Sequence, residues 1–282
     1  MTLENLLSAQ QLSAHFLDSQ ALSPLPSPSF SGLVLKALFL TENQQKEVCG
    51  LTSDTRALVE GGVFVAIRGT KADGHLFLDE ACRKKPVAVV VQDLTQVPSF
   101  FKGAQILVKD SRLAMDALAS CYYEHPSKKM FCYGVTGTNG KTSTTYLIEH
   151  ILNQNQLATG VLGTINHHLG EQIFESTMTT PGPVELQKRL KEFCESGARA
   201  IAMEVSSHAL DQYRADSVNW DVVIFTNITR DHLDYHKSMQ EYFEAKQRLF
   251  NELLDNSSKQ SLFAVVNAHD PASGQLKISR RA

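Results

Sequence analysis

The chain of 282 residues lacks the marks of a secreted or membrane-spanning protein. No stretch approaches the roughly 18 to 20 consecutive apolar residues that a bilayer crossing needs. Met1 to Gln10 shows no basic segment followed by an apolar run, so a signal peptide is not expected. Cysteine is scarce and odd in number, at five (Cys49, Cys82, Cys121, Cys132, Cys194), and no two form a C-x-x-C pair. That pattern excludes a disulfide framework and a zinc knuckle, and it fits a reducing cytoplasm. Charge of one sign is also missing: Lys+Arg 27 against Asp+Glu 30 leaves a formal net charge of -3. A nucleic-acid coat or an anionic membrane surface is therefore not an expected partner. Internal repeats are absent too.

What is present is 43% hydrophobic residues, enough for two modest cores in a chain of this length. Ser23 to Ser31, with Pro24, Pro26 and Pro28, reads as an irregular loop. Apolar runs at Val63–Ile67, Val87–Val91 and Ile106–Val108 predict strands, with a helix-like segment at Phe77–Lys84 between the first two. We expect a small mixed α/β domain over 1–110. A helix over Leu113–Tyr122 then leads into a second domain, 111–282. There, strands are expected at Phe131–Thr136, Ala200–Val205, Val222–Asn227 and Leu262–Val266. Helices are expected at Thr142–Asn153, Val184–Glu195 (stopped by Gly197) and Ser238–Leu254. This alternation predicts an α/β fold with a mainly parallel, helix-covered sheet, whose ligands sit at the carboxyl ends of strands.

Three segments carry chemistry at such ends. Gly137-Thr138-Asn139-Gly140-Lys141-Thr142-Ser143 follows a strand and opens a helix. Glycines there let backbone N–H groups close around phosphate oxygens, Lys141 would reach the β/γ-phosphates, and Thr142 would bind Mg²⁺. The spacing departs from Walker A by one residue, because position 135 is Val135 and Gly134 misses by one place; a plain glycine turn opening a helix is the alternative. Glu204, at the end of its strand, is either a Mg²⁺ ligand or a solvated acid. His232 and His236, spaced i, i+4, suit zinc or simply a surface. Lys246 lies within an apolar stripe (Met239, Tyr242, Phe243, Leu249, Phe250, Leu253), so it either snorkels outward or sits buried with a special role.

Thr136 to Thr142 resembles the ATP loop of the Mur ligases and their folylpolyglutamate synthetase relatives, which share the shifted glycine. Glu204 to Arg214 (EVSSHALDQYR), Thr226 to His236 (TNITRDHLDYH) and Glu244-Ala245-Lys246 resemble motifs of one branch of that family, the ligases adding the third residue of the peptidoglycan stem peptide. The resemblance runs from about Leu51 to Asp270. It implies ATP and Mg²⁺ as cofactors, Thr142, Glu204, His232 and Lys246 as metal-holding residues, and a CO₂-derived carbamate on Lys246. It assigns catalysis to Lys141, His232 and Lys246. It implies a substrate UDP-MurNAc-L-Ala-D-Glu and a free diamino acid, diaminopimelate or lysine, joined through an acyl phosphate.

Thr52 to Arg56, Gly61 to Ala66 and Asp73-Gly74-His75 resemble the family's uridine-binding first domain, with Thr55, Thr70, Lys71 and Ala72 at UDP-contacting positions. Thr179, Thr180, Ser206, Gln212 and Arg214 match muramoyl-peptide contacts, with Met178 where some members have Asn. Against this stand a P-loop kinase or GTPase switch, for which Asn267-Ala268-His269-Asp270 lacks the guanine-reading lysine, and a non-catalytic UDP-sugar module. The family's third domain is not found, so we expect a cytoplasmic monomer with weak or no ligase turnover by residues 1–282 alone.

Overall fold

The computed structural model describes residues 1–8, 34–38, 43, 45–69 and 72–282. The Pro/Ser-rich segment and two expected contact residues, Thr70 and Lys71, lie outside the described residues. The chain divides into two compact units, Met1–Tyr122 and Tyr123–Ala282. The border expected at 110/111 falls just before a helix, Ser111–Tyr122, that is part of the first unit.

In the first unit, α1 (Leu3–Ser8) and β1 (Val34–Leu38) precede β2 (Leu51–Thr52) and β3 (Val63–Val65). Then come α2 (Leu78–Arg83), β4 (Ala88–Val91), β5 (Ala104–Val108) and α3 (Ser111–Tyr122). Among the described residues the sheet order is β1-β5-β4-β3-β2, parallel except for β1. Phe64, Ala66, Val89 and Val91 are buried with Leu78, Ala81 and Cys82 of α2 in one apolar cluster. The near-continuous Val/Ala runs of β3 and β4 are what strands buried on both faces require.

The second unit contains β6 (Phe131–Thr136), α4 (Lys141–Gln154), β7 (Thr159–Leu162), β8 (Asn166–Leu169), β9 (Gln172–Glu175) and α5 (Pro183–Glu195). After these come β10 (Ala200–Glu204), α6 (Ser207–Asp211), β11 (Val222–Phe225), α7 (Met239–Arg248), a π-helical turn (Leu249–Leu253), α8 (Leu254–Asn256) and β12 (Phe263–Val266). The order is β12-β11-β6-β10-β7-β8-β9, with the five strands from β12 to β7 parallel. β8 and β9 extend it antiparallel. The α/β, mostly parallel class expected from the sequence is the class observed.

The hairpin β8–β9 and strand β7 were not expected. β7 carries Gly160, where a Cβ would press on the Phe193 ring at 2.6 Å, so packing demanded a residue that weakens the strand signal. β8 and β9 read Asn-His-His-Leu and Gln-Ile-Phe-Glu, too polar for the usual pattern. The single helix expected over 238–254 is interrupted by the π turn, next to Arg248, which is held by Asp216 at 2.6 Å and Glu252 at 2.7 Å. Gly197 does end α5, at φ +91.

Gly134, the near-miss for Walker A, serves packing instead. It lies buried in β6 under Trp220, whose ring would stand 2.9 Å from an added Cβ. Trp220 itself is fully buried, and such a side chain contributes on the order of 2 to 3 kcal/mol of hydrophobic stabilisation.

Candidate functional site

β6, β10 and β11 end side by side because they are parallel neighbours in register, Glu204 opposite Val135 and Phe225 opposite Thr136. The segments leaving these ends form the site. From β6 the chain enters the phosphate loop at Gly137, whose φ of +149 no other residue adopts easily. A Cβ there would overlap the Thr226 hydroxyl. Gly140, at φ +84, turns the chain into α4, and no side chain caps that helix. The N-terminus of a helix of 14 residues thus faces outward with its first amides and its dipole available to an anion. Lys141 curls over the loop and donates to Gly137 O and Thr138 O, both at 2.9 Å. Burial lowers its ammonium pKa, with Glu204 and Asp231 opposing. Asn139 and Ser143 are exposed at the rim, whereas Thr138 is engaged inward with Thr229 O and Tyr242 OH.

Glu204 is not the solvated acid that its position allowed. It is 1% exposed and accepts from Thr142 Oγ1 at 2.9 Å, Thr164 N at 2.9 Å and Thr164 Oγ1 at 3.1 Å. A Cβ at Gly163 would overlap its Oε1, so the β7–β8 turn is shaped around this carboxylate. A buried carboxylate touching the hydroxyl at a helix N-terminus is an oxygen donor pair that suits a hard cation.

Lys246 does not snorkel. It is 1% exposed, donates from Nζ to Gly137 O at 2.9 Å and stands 4.4 Å from the Tyr242 ring centre. Desolvation, then repulsion from Lys141, lowers its pKa to about 7. A share of neutral amine at ordinary pH follows, beside a cation that would welcome an anion.

His232 is less committed. Its side chain is 43% exposed, at φ 53, with Nε2 3.5 Å from Asp231 Oδ2. The i, i+4 partner His236 is buried and its Nε2 meets Ser207 Oγ at 3.0 Å, while the ring of His208 packs against both histidines. Among the described residues no three His, Cys, Asp or Glu side chains gather as a ready-made metal cluster. The expected metal-holding residues thus meet in groups: Thr142 with Glu204, Lys246 with the loop carbonyl that Lys141 also holds, and His232 apart.

The expected peptide-contacting residues of this unit share one neighbourhood. Thr180 Oγ1 donates to Glu204 O at 2.8 Å and accepts from Ser206 N at 3.0 Å, so its hydroxyl is used internally. Thr179 Oγ1 lies 3.1 Å from Thr164 Oγ1. Ser206 Oγ caps α6 by accepting from Ala209 N. Arg214 donates to Gln212 Oε1 at 2.6 Å, to Thr180 O at 3.1 Å and to Met178 Sδ at 3.4 Å. Gln212 in turn donates to Tyr235 OH at 3.0 Å.

In the first unit Thr55 is buried in a 3₁₀ turn, and its carbonyl accepts from Lys84 Nζ at 2.7 Å. Ala72 is exposed and its carbonyl accepts from Gly69 N. His75 is buried, with Nδ1 2.6 Å from Asp73 Oδ1 and Nε2 accepting from Gln92 N at 2.9 Å, which fixes the proton on Nδ1. The sequence had not singled out Thr164, whose one signal was its place just beyond an apolar strand. Thr226 and Asn227 stood in it only as members of a motif, with no role of their own.

Residues 135–281 match a family model described as the Mur ligase middle domain. The chain belongs to the Mur ligase family. It is 44% identical over 232 residues to the UDP-N-acetylmuramoyl-L-alanyl-D-glutamate--2,6-diaminopimelate ligase of Geobacter sulfurreducens, covering 82% of this chain and 45% of that one. To the ligase of the same name from Aquifex aeolicus it is 42% identical over 245 residues, covering 87% and 48%. The Mur ligase chain therefore spans about half the length of the curated relatives it matches. A solved ligase of that name superposes with a TM-score of 0.69 at 24% identity, over 83% of this chain and 46% of the other. MurF of Thermotoga maritima, solved in complex with ADP, gives 0.51 at 24% identity, over 80% and 47%. At these identities the two structures establish the Mur ligase fold.

Proposed function

We propose that this chain carries the ATP-binding and part of the acceptor-binding machinery of an ATP-dependent acid–amino-acid ligase. The acceptor is UDP-MurNAc-L-Ala-D-Glu and the amine a diamino acid; the diaminopimelate in the names of the relatives supports that choice over lysine. Residues 1–110 would hold the uridine end, through Thr55, Thr70, Lys71 and Ala72, and 111–282 the nucleotide. The observation that carries the reading is the convergence of Gly137, Lys141, Thr142, buried Glu204 and buried Lys246 at three adjacent strand ends.

Each residue has a role that its setting supports. The amides of Gly140 to Ser143 and the helix dipole would receive phosphate oxygens. Lys141 would leave its two loop carbonyls for the β/γ-phosphates, neutralising charge that spreads as the γ-phosphoryl moves to the glutamyl carboxylate. Arg214, with a planar fork, would hold the acceptor's carboxylate, with Thr179, Thr180, Ser206 and Gln212 shaping its surroundings. Thr142, Glu204 and His232 would hold Mg²⁺, which when bound offsets phosphate charge. A carbamate formed at Lys246 would add an anionic oxygen donor there; the lowered pKa supplies the neutral amine that its formation needs.

Calorimetry with Mg²⁺-ATP tests the reading. Binding by the wild type, lost in Lys141→Ala, is expected; no binding by either would leave a non-catalytic UDP-sugar module. For the carbamate, ¹³C-bicarbonate should give a carbonyl signal at neutral pH that Lys246→Ala lacks. A spectrum unchanged by that substitution would remove it.

A further inference from the structure

Thr226 and Asn227 leave the end of β11 and pass directly beneath the phosphate loop. Asn227 Oδ1 accepts from Asn139 N at 3.0 Å, and Asn227 Nδ2 donates to Asn139 O at 3.1 Å. A backbone N–H only donates and a backbone carbonyl only accepts, so the orientation of this side-chain amide is fixed. The amide thus pairs with both backbone groups of one loop residue, as a neighbouring strand would. Thr226 Oγ1 donates to the same Asn139 carbonyl at 2.7 Å, and Asn227 O accepts from Thr138 N at 2.9 Å. Thr226 also fills the space that a side chain at Gly137 would need.

Behind this pair stands the Asn267-Ala268-His269-Asp270 segment that fails as a guanine reader. Asn267 Nδ2 donates to Thr226 O at 2.9 Å, and Asp270 Oδ2 accepts from Ile228 N at 2.9 Å. The segment that follows β12 therefore holds the segment that follows β11, which holds the loop that follows β6.

We propose that Asn227, with Thr226, is a positioning residue for the nucleotide, fixing the phosphate loop in its open, phosphate-ready form from below. This rests on the nucleotide reading above. A loop held by its own few residues must be ordered when the phosphates arrive, whereas a loop held beforehand spends no affinity on ordering. Asn139 is exposed, so water satisfies its backbone groups once Asn227 is removed. The loss then falls on loop order and hardly on global stability.

The test uses the full chain, Mg²⁺ and a non-hydrolysable ATP analogue, with calorimetry, thermal melting and amide exchange at Thr138 and Asn139. Asn227→Leu, close in shape, should weaken analogue binding about tenfold or more and speed exchange at those amides, with the melting temperature little changed. Asn227→Asp, which keeps the acceptor but lacks the donor, should bind no better. A lowered melting temperature with unchanged affinity would make Asn227 merely structural and overturn the proposal. Should Asn227→Leu fail to fold, Thr226→Val against Thr226→Ser decides: weakening by valine alone supports positioning, and equal affinities overturn it. Failure of the wild type to bind overturns the nucleotide reading and this inference with it. Binding by the wild type and equally by the variants overturns this inference alone.

Discussion

The conspicuous loops of the two units hold their key side chains in different ways. In the first, the acidic residues of the conspicuous loops serve their own turns: Asp54 caps Arg56 N, Asp73 caps His75 N and Asp93 caps Thr95 N, each two residues on. In the second, partners lie far apart in sequence. Glu204 is held from Thr142 and Thr164, Lys246 reaches Gly137, and Asn227 clasps Asn139. A local cap needs only a turn, so its residues can change while the fold stays. A convergent site exists only when several strands end together, and each member then depends on the others.

That contrast predicts graded effects. Gly137→Ala should be the most damaging, since φ +149 and the overlap with Thr226 act together. A loss of about 3 kcal/mol in stability and no measurable nucleotide binding are expected, by urea unfolding and calorimetry. Retained binding would mean that the loop is not built on Thr226. Next, Glu204→Gln keeps the shape but removes the charge. The enhancement of nucleotide affinity by Mg²⁺ should fall about tenfold or more, with affinity in EDTA nearly unchanged.

A smaller and pH-dependent effect belongs to Lys246. Its folded pKa, about 7, lies below the ordinary 10.5, so between these values the unfolded chain binds the extra proton. Stability must therefore rise with pH across that window and lose this contribution as pH falls toward 7. From pH 7 to about 10 the melting temperature of the wild type should gain on that of Lys246→Met, and below pH 7 the two profiles should run parallel. Parallel curves throughout would mean that the amine is solvated.

The same contrast explains what the sequence could show. Strands β6, β10 and β11 and the loop at Gly137 were legible because apolar runs and glycines encode them locally. Whether Glu204 and Lys246 were buried was not, because the answer lies with Gly163, Thr164 and Gly137, which only the fold brings near. The β8–β9 hairpin was illegible for its polar strands. Thr226 and Asn227 were visible within a motif, but the service they give to Asn139 is a contact across 87 and 88 residues.

The smallest effect should come from Asp54, at the centre of the first unit's most motif-like loop. Its carboxylate accepts from Arg56 N at 2.9 Å and from the Arg56 guanidinium at 2.7 Å. The Arg56 side chain, then its backbone amide, lowers its pKa to about 2. Both partners stand in water, where such pairs contribute little. Asn keeps an acceptor for the cap, so Asp54→Asn should leave both the melting temperature and Mg²⁺-ATP affinity within experimental error at neutral pH. In acid the unfolded wild type takes up a proton near pH 4 that the folded carboxylate refuses until about pH 2. The small stability that the pair contributes is lost across that window, and only there should the difference between the variants change with pH. If instead Asp54→Asn weakened the binding of UDP while leaving melting unchanged, the carboxylate would be serving a ligand as well as its turn. The first unit's loop would then resemble the convergent site of the second, and the contrast between the units would end at this residue.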